Sequence, residues 1–216
     1  MTISHHLEDA TVLAYAAGTL PDALTVVGAS HVAMCGTCRA AVRKAEAVGA
    51  ELMAANQQAV SDMCRAATLA SLDAITPAVR RTAAPLTGEL PVPLARLVGD
   101  VTLKELPWKK KGPGLSLFEV PMPEGAKGKL MFLNIAPGRS MPEHGHSGEE
   151  LTLVLKGSYS DKFGRFGAGD IADLDQESEH TPVTDSTDGC ICVSAIESPT
   201  LFKPFWAKLM QPFVGI

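Results

Sequence analysis

The sequence predicts an α+β protein in which helices and strands are segregated into two domains. Residues 1–76 are rich in Ala, Leu, Met, Glu and Arg, which favour helices, and their apolar residues recur at three- and four-residue steps. Past residue 95, short apolar runs alternate with Gly and Pro turns every ~8–12 residues, a rhythm typical of all-β barrels and sandwiches. A proline-rich stretch lies between the two halves.

Composition excludes several classes of function. The chain has 216 residues, of which 46% are hydrophobic, and a net charge of −5. No apolar run approaches the ~18–20 residues that span a bilayer, and no charged-then-apolar leader opens the chain. The one basic cluster, residues 109–111, is too small for a nucleic-acid surface, and we expect a solvated turn there. Five cysteines that include a CxxC pair fit a reducing cytoplasm. We therefore expect a cytoplasmic protein that binds neither membrane nor nucleic acid directly.

Four helices are expected in the first domain. The first covers about residues 7–20, and Pro21 suits the first turn of the second. The third runs from about 38 to 55 and the fourth from 60 to 75. Short connections predict antiparallel neighbours and hence a small helical bundle.

The sequence predicts a linker in the middle of the chain, over residues 77–95. Its prolines interrupt both helix and central strand: Pro77, Pro85, Pro91 and Pro93. The second domain covers residues 96–216, with strands expected at 130–135 and 151–155. We expect its apolar end, residues 202–216, to pack back onto one of the domains.

The first domain carries a group of metal-binding residue types. His31, Cys35 and Cys38 stand at i, i+4 and i+7, so they share one sector of a helix or straddle a turn between two helices. Zinc takes four N or S ligands in a tetrahedron, and the pair His5-His6 offers the fourth. The alternatives are buried apolar cysteines beside a surface histidine, or a redox CxxC, which usually follows a strand. We predict a structural Zn²⁺ here, site 1.

These residues resemble a known family. The spacing His6-x24-His31-x3-Cys35-x2-Cys38 in a helical context is similar to that of the zinc-containing anti-sigma domain. The resemblance points to His6 rather than His5 as the fourth ligand. It also implies that the domain binds an extracytoplasmic-function sigma factor and blocks its access to core RNA polymerase.

The second domain carries a second group of metal-binding residue types. His144 and His146 project to the same side if they lie on a strand, and Glu150 opens the strand that follows. Glu149 is the alternative carboxylate, but strand parity favours Glu150. Imidazole and carboxylate ligands together suit Zn²⁺ and other divalent transition metals nearly equally. The alternative is that these histidines are solvated surface residues.

The spacing of this second group resembles the cupin superfamily. Its first motif is matched by Gly138-x5-His144-x-His146-x3-Glu150-x6-Gly157, and Gly169-Asp170 with His180 fits the second. Asp175, Glu177 and Thr184 stand where the second motif usually has Pro, Gly and Asn. The resemblance implies a double-stranded β-helix over about 96–200 and a metal site, site 2, formed by His144, His146, Glu150 and His180.

The combination of the two domains resembles the ChrR-type anti-sigma factors. The segments 166–171, 179–183, 190–192 and 211–213 extend the resemblance along the chain. It implies a non-enzymatic regulator that holds its sigma factor in a 1:1 complex, with Leu69, Leu72 and Ile75 in contact, and releases it on a singlet-oxygen or organic-peroxide signal. The alternative is a cupin metalloenzyme, a dioxygenase or acetylacetone-cleaving enzyme, but no substrate pocket or second acid–base group is evident. Cys190 and Cys192 are two positions apart and so share one face of the expected strand. They are either core residues or thiols that respond to oxidants.

Overall fold

The computed structural model describes residues 2–73, 88–185 and 187–204. It contains the predicted helical first half and a second half of antiparallel strands, so the fold class is confirmed. Ile75, Pro77, Pro85 and residues 205–216, which include the expected tail and the segment 211–213, lie outside the described residues.

The first three helices meet at two short breaks. The first, α1 (Asp9–Ala17), ends at Gly18, whose φ of 68° is the left-handed conformation that suits glycine. The second, α2 (Asp22–Met34), has Pro21 as its N-cap. The third, α3 (Gly36–Ala55), follows directly, because Cys35 is both the last cap of α2 and the first cap of α3. The sequence analysis expected Pro21 in the first turn of α2, where it is the N-cap. It expected the third helix to begin at about residue 38, two residues after its start at Gly36.

The fourth helix does not share the buried core of the others. In α4 (Asp62–Asp73), residues 62–72 are all exposed, as are the later residues of α3 such as Leu52 and Met53. The buried positions of α3 are Cys38 and Val42, close to its start. The predicted bundle is therefore built on α1, α2 and the beginning of α3.

Part of the predicted linker is a helix. Residues 92–98 form α5 (Val92–Val98), with Pro91 as N-cap and Pro93 in the first turn, where the missing N–H has no helical partner to lose. Leu94 and Ala95 are buried, and α5 packs against α2. The expectation that the prolines interrupt a helix is wrong for residues 92–95, because prolines that break a helix interior are well placed at its start.

The second half is a barrel-like pair of antiparallel sheets. The strands are β1 (Lys109–Gly112), β2 (Leu115–Glu119), β3 (Lys129–Ile135), β4 (His144–Gly145), β5 (Glu150–Asp161), β6 (Gly164–Gly167), β7 (Ile171–Leu174), β8 (Glu179–His180), β9 (Val183–Thr184), β10 (Cys190–Ile196) and β11 (Leu201–Phe202). The larger sheet has the order β1-β2-β3-β10-β5-β6, with β7 and β9 also paired to β5, and the smaller has the order β11-β4-β8. The lysine cluster lies on β1 at the edge of the larger sheet, not in the expected turn.

The two domains share one hydrophobic core. Leu24 and Val27 of α2 are fully buried in the same cluster as Leu151, Leu153 and Val193 of the barrel. α2 therefore contacts the barrel along the strands β5, β10 and β3. Within the described ranges no single helix is both long and apolar enough to cross a bilayer, and α1 with α2 reaches that length only as a pair bent by 109°.

Candidate metal centres

The first candidate centre lies where the N-terminal segment, α2 and α3 meet. His6, His31, Cys35 and Cys38 each offer one ligand atom, and these atoms lie within 4.8 Å of one another. Cys35 stands at the break between the helices, and its sulphur accepts the Cys38 N–H at 3.4 Å. His31, Cys35 and Cys38 are buried and His6 is half-buried. The structure thus brings the four predicted residues of site 1 together.

The positions of the His5 and His6 rings distinguish which of the two can be the fourth ligand of site 1. His6 Nδ1 lies 3.3 Å from the sulphur of Cys35. His5 instead stacks on Phe166, with ring centroids 4.1 Å apart, and faces the carboxylate of Asp170 at 3.6 Å. The geometry therefore favours His6 as the fourth ligand, as the family spacing does.

The protonation of site 1 suits a divalent metal ion. Nδ1 of His31 donates to the carbonyl oxygen of Gly169 at 3.0 Å, which leaves the lone pair on Nε2, 3.2 Å from the Cys38 sulphur. Burial lowers the pKa of His31 to about 4, so the ring is neutral at pH 7. Burial raises the pKa of the Cys38 thiol to about 11, so a thiolate there needs a neighbouring cation. Two thiols and two imidazoles are the donor set of a closed tetrahedral zinc site.

The second candidate centre lies on the smaller sheet. His144 on β4 pairs directly with His180 on β8, and His146 follows two residues after His144. All three rings are buried, and one ligand atom from each lies within 4.8 Å of the others. The register of this short strand pair is what brings His180 to the motif that precedes it by more than thirty residues.

The hydrogen bonds of two of these rings leave their lone pairs facing each other. Nδ1 of His144 donates to the carbonyl of Pro142 at 2.8 Å, and Nδ1 of His180 donates to the carboxylate of Asp161 at 2.8 Å. In neutral rings the lone pairs are then on the two Nε2 atoms, which are 2.9 Å apart and repel unless they share a cation. Nε2 of His146 is also buried, without a hydrogen-bond partner among the described residues. The three rings therefore fit a bound metal ion.

Electrostatics agree with this assignment. Burial lowers the pKa of His144 and of His146, so the neutral, metal-binding form of each ring dominates at pH 7. Asp161, whose side chain is fully buried, holds the His180 tautomer. No local sequence pattern points to Asp161, because it is 19 positions from His180 in the chain.

The carboxylate of Glu150 lies beside the three-imidazole cluster rather than within it. One oxygen is 3.2 Å from Nδ1 of His146, and the other accepts the Thr152 hydroxyl at 2.8 Å. Glu150 is buried, whereas the alternative, Glu149, is exposed. The choice of carboxylate by strand parity agrees with this burial, and direct ligation by Glu150 stays a prediction.

A small cavity of about 50 Å³ adjoins the second centre. Its walls are mostly apolar and include Met131, Met141 and Cys192, together with the Tyr159 ring. Cys190 and Cys192 are both buried, and the Tyr159 hydroxyl has no hydrogen-bond partner in the described part of the chain. Pockets for organic substrates usually enclose roughly 300–1,000 Å³. This cavity has room for a metal ion and a few small atoms.

Asp175 and Thr184, which differ from the usual residues of the second cupin motif, form hydrogen bonds that shape the loops around His180. Asp175 forms a turn by accepting the N–H of Glu177 at 3.1 Å and the hydroxyl of Ser178 at 2.8 Å. The Thr184 hydroxyl donates to the carbonyl of Ala136 at 2.7 Å and accepts the N–H of Arg139 at 3.0 Å. His180 consequently reaches the cluster although the usual Pro, Gly and Asn are absent.

Fold and site together define a cupin protein with an N-terminal helical region, a His/Cys cluster in that region and a His cluster in the barrel. The model of the ChrR cupin-like domain family matches residues 99–198. The anti-sigma-E factor ChrR of Cereibacter sphaeroides is 43% identical over 219 residues, covering 100% of both chains. The crystal structure of Rhodobacter sphaeroides SigE in complex with the anti-sigma ChrR matches with a TM-score of 0.75 and 40% identity, covering 90% of this chain and 99% of that one. The chain belongs to the ChrR family of anti-sigma factors.

Substitution of the ligands of one centre should remove the metal ion of that centre only. We expect the full chain to carry two transition-metal ions, one for each group of ligand atoms. The variant with Cys35→Ser and Cys38→Ser should keep only the cupin ion, and the variant with His144→Ala and His180→Ala should keep only the other. Elemental analysis of purified protein measures this, and an unchanged metal content in either variant contradicts the corresponding site.

The role of Asp161 can be tested by Asp161→Asn. The two oxygens of Asp161 accept from the Phe163 N–H and from Nδ1–H of His180, so the single amide oxygen of Asn serves only one of them. With that oxygen on Phe163, the His180 ring loses its acceptor and the tautomer that frees Nε2. Metal affinity at the cupin centre should fall about 10–100-fold. Competition with a chelator measures this affinity. Glu179→Gln is the matched control, because Glu179 pairs with Lys203 at the surface next to His180, and its affinity should equal that of the parent.

Proposed function

We propose that this protein sequesters an extracytoplasmic-function sigma factor in the cytoplasm, in a 1:1 complex, through its helical domain. An oxidative signal, singlet oxygen or an organic peroxide, acts on the cupin domain and releases the sigma factor. The full-length match to a protein solved in complex with SigE carries this proposal. Zn²⁺ occupies site 1, with His6, His31, Cys35 and Cys38 as ligands. Zn²⁺ or another divalent transition metal occupies site 2, with His144, His146, Glu150 and His180.

The sigma factor binds to an exposed helical surface. This surface consists of apolar side chains in and between the second half of α3 and α4, each more than half exposed: Val48, Leu52, Met53, Val60, Met63, Leu69 and Leu72. Large apolar side chains that stay exposed in one stretch of a folded chain indicate a protein interaction site. Leu69 and Leu72, which the family resemblance places in contact with the sigma factor, are among these exposed side chains.

The zinc ion connects this surface to the rest of the protein. Cys35 and Cys38 lie at the first turn of α3, and His31 lies on the last turn of α2. One tetrahedral ion therefore fixes the angle between the two helices, and with it the direction of the exposed half of α3. Loss of the ion removes that constraint and changes the surface that the sigma factor meets.

The cupin domain is suited to sense a small oxidant. Met131, Met141 and Cys192 line the cavity beside the imidazole cluster, and sulphur is the group in proteins that oxidants modify most readily. A cavity of about 50 Å³ is well below the roughly 300–1,000 Å³ of pockets that enclose an organic substrate. This size, together with the regulatory relative, favours the sensor over the cupin metalloenzyme.

The docking surface can be tested by the double variant with Leu69→Asp and Leu72→Asp. Both side chains are more than half exposed, so the change should leave folding and metal content intact. Each buried apolar contact in an interface contributes about 1–2 kcal/mol, so affinity for the co-expressed sigma factor should fall about 30–1,000-fold, measured by calorimetry. The control is Val92→Asp on α5, exposed and in a first helical turn that tolerates negative charge. Equal affinity of the double variant and the control rules out this surface.

The division of labour between the centres can be tested with two paired variants. Cys35→Ser with Cys38→Ser should abolish sigma binding, because it removes the zinc that orients α3. His144→Ala with Glu150→Ala should leave binding intact and weaken the release by oxidant. The readout is sigma-factor release from the purified complex after exposure to an organic hydroperoxide. Parental binding by the first variant, or parental release by the second, contradicts the assigned roles.

A further inference from the structure

The N-terminal segment that carries His6 is attached to the barrel on both sides of that residue. The backbone N–H groups of Ser4 and His5 donate to the Asp170 carboxylate at 2.6 and 3.0 Å. On the other side, the N–H of Glu8 donates to the Asp173 carboxylate at 2.9 Å. His6 therefore lies between two points that are fixed by the cupin domain, although it contributes to the helical centre.

A second ligand of the helical centre is fixed by the same part of the barrel. Nδ1–H of His31 donates to the carbonyl oxygen of Gly169, the residue directly before Asp170. Gly169 and Asp170 lie in the turn of residues 167–170 between β6 and β7. Two of the four candidate ligands of site 1 are thus held by adjacent residues of the other domain.

The turn is itself firmly tied to the larger sheet. The Asp170 carboxylate accepts the N–H of Gly167 at 2.8 Å, and the N–H of Gly169 donates to the Val154 carbonyl at 2.8 Å. In return, the N–H of Val154 donates to the Asp170 carbonyl at 3.0 Å. Val154 belongs to β5, the strand that begins at Glu150 beside the cupin centre. The turn therefore connects a strand of the cupin centre to the His31 side chain and to the backbone that precedes His6.

Asp170 is chemically suited to this attachment. Its side chain is only 5% exposed. Burial alone would raise the pKa of Asp170, but the N–H groups of Gly167, Ser4 and His5, with the nearby His5 ring, lower it overall. The carboxylate is therefore ionised at neutral pH, and its hydrogen bonds to the segment are charge-assisted and strong.

We propose that the cupin turn of residues 167–170 positions two zinc ligands of the helical domain, His6 through the Asp170 carboxylate and His31 through the Gly169 carbonyl. The inference rests on the proposed zinc at site 1. Asp170 is a positioning residue that touches no metal. Through these hydrogen bonds, the stability of the helical zinc centre depends on the contact between the helical domain and the barrel. A change in the barrel can therefore alter the centre that orients α3.

The test uses the full chain with Asp170→Ala, and the reaction of Cys35 and Cys38 with an alkylating reagent, located by peptide mass spectrometry. Zinc-bound thiolates react slowly, so faster zinc loss appears as faster alkylation. We expect the rate at both cysteines to rise about 10–100-fold, the usual effect of removing an outer-shell partner. Alkylation of Cys192, buried in the barrel, should keep its parental rate.

Two further variants control for a general structural effect. Asp185→Ala removes a carboxylate that accepts from Ser160 and Arg165 within the barrel, and it should leave the rates at Cys35 and Cys38 unchanged. Asp170→Asn keeps one oxygen acceptor for the N–H groups of Ser4 and His5, so it should restore part of the protection. With Co²⁺ in place of zinc, Asp170→Ala should also shift the thiolate-to-metal absorption of the helical centre.

The outcomes separate this inference from the proposed function. Parental alkylation rates at Cys35 and Cys38 in Asp170→Ala overturn it, and so does an equal rise at Cys192, which would indicate loosening of the whole barrel. A parent protein without metal at site 1, with rapidly alkylated Cys35 and Cys38, would instead overturn the zinc assignment itself.

Discussion

The packing of α2 against the barrel is the constraint on which the rest of the structure depends. Leu24 and Val27 of this helix are fully buried in one core with Leu151 and Leu153 of β5. Each such side chain contributes about 1.5–3 kcal/mol when it is removed from water, so the helix cannot slide without a large loss of free energy. His31 lies on the same helix, so the packing sets the distance from its ring to the carbonyl of Gly169.

Both candidate centres orient imidazoles in the same way. His31 and His144 donate Nδ1–H to backbone carbonyls, and His180 donates to a buried carboxylate. Each ring then presents Nε2 with its lone pair, and the acceptor behind it fixes the direction of the ring. All three acceptors lie in the barrel, the domain to which His144 and His180 themselves belong. For His31 the acceptor, the carbonyl of Gly169, belongs to the other domain. The helical domain by itself therefore has no acceptor that orients this ring.

The sequence was informative where spacing is local and uninformative where contacts are distant. His31, Cys35 and Cys38 are seven residues apart end to end, and the parity of one strand aligned His144 with His146, so their grouping followed from helix and strand periodicity. The exposure of α4 and the helix α5 could not be read from propensity, because both depend on which surface a neighbour covers. The contact between Ser4 and Asp170 joins residues 166 positions apart, and no local pattern encodes it.

The energies of these contacts indicate how a change in the barrel could alter sigma binding. Reversing a population from 99:1 to 1:99 requires about 5.5 kcal/mol of differential free energy. A charge-assisted hydrogen bond contributes roughly 1.5–3 kcal/mol, so losing those of Ser4 and His5 to Asp170 approaches that amount. A structural zinc ion contributes about 10–16 kcal/mol, well above it. On the proposed function, the hydrogen bonds at the domain contact are therefore comparable with the free energy that such a reversal needs, and zinc binding exceeds it.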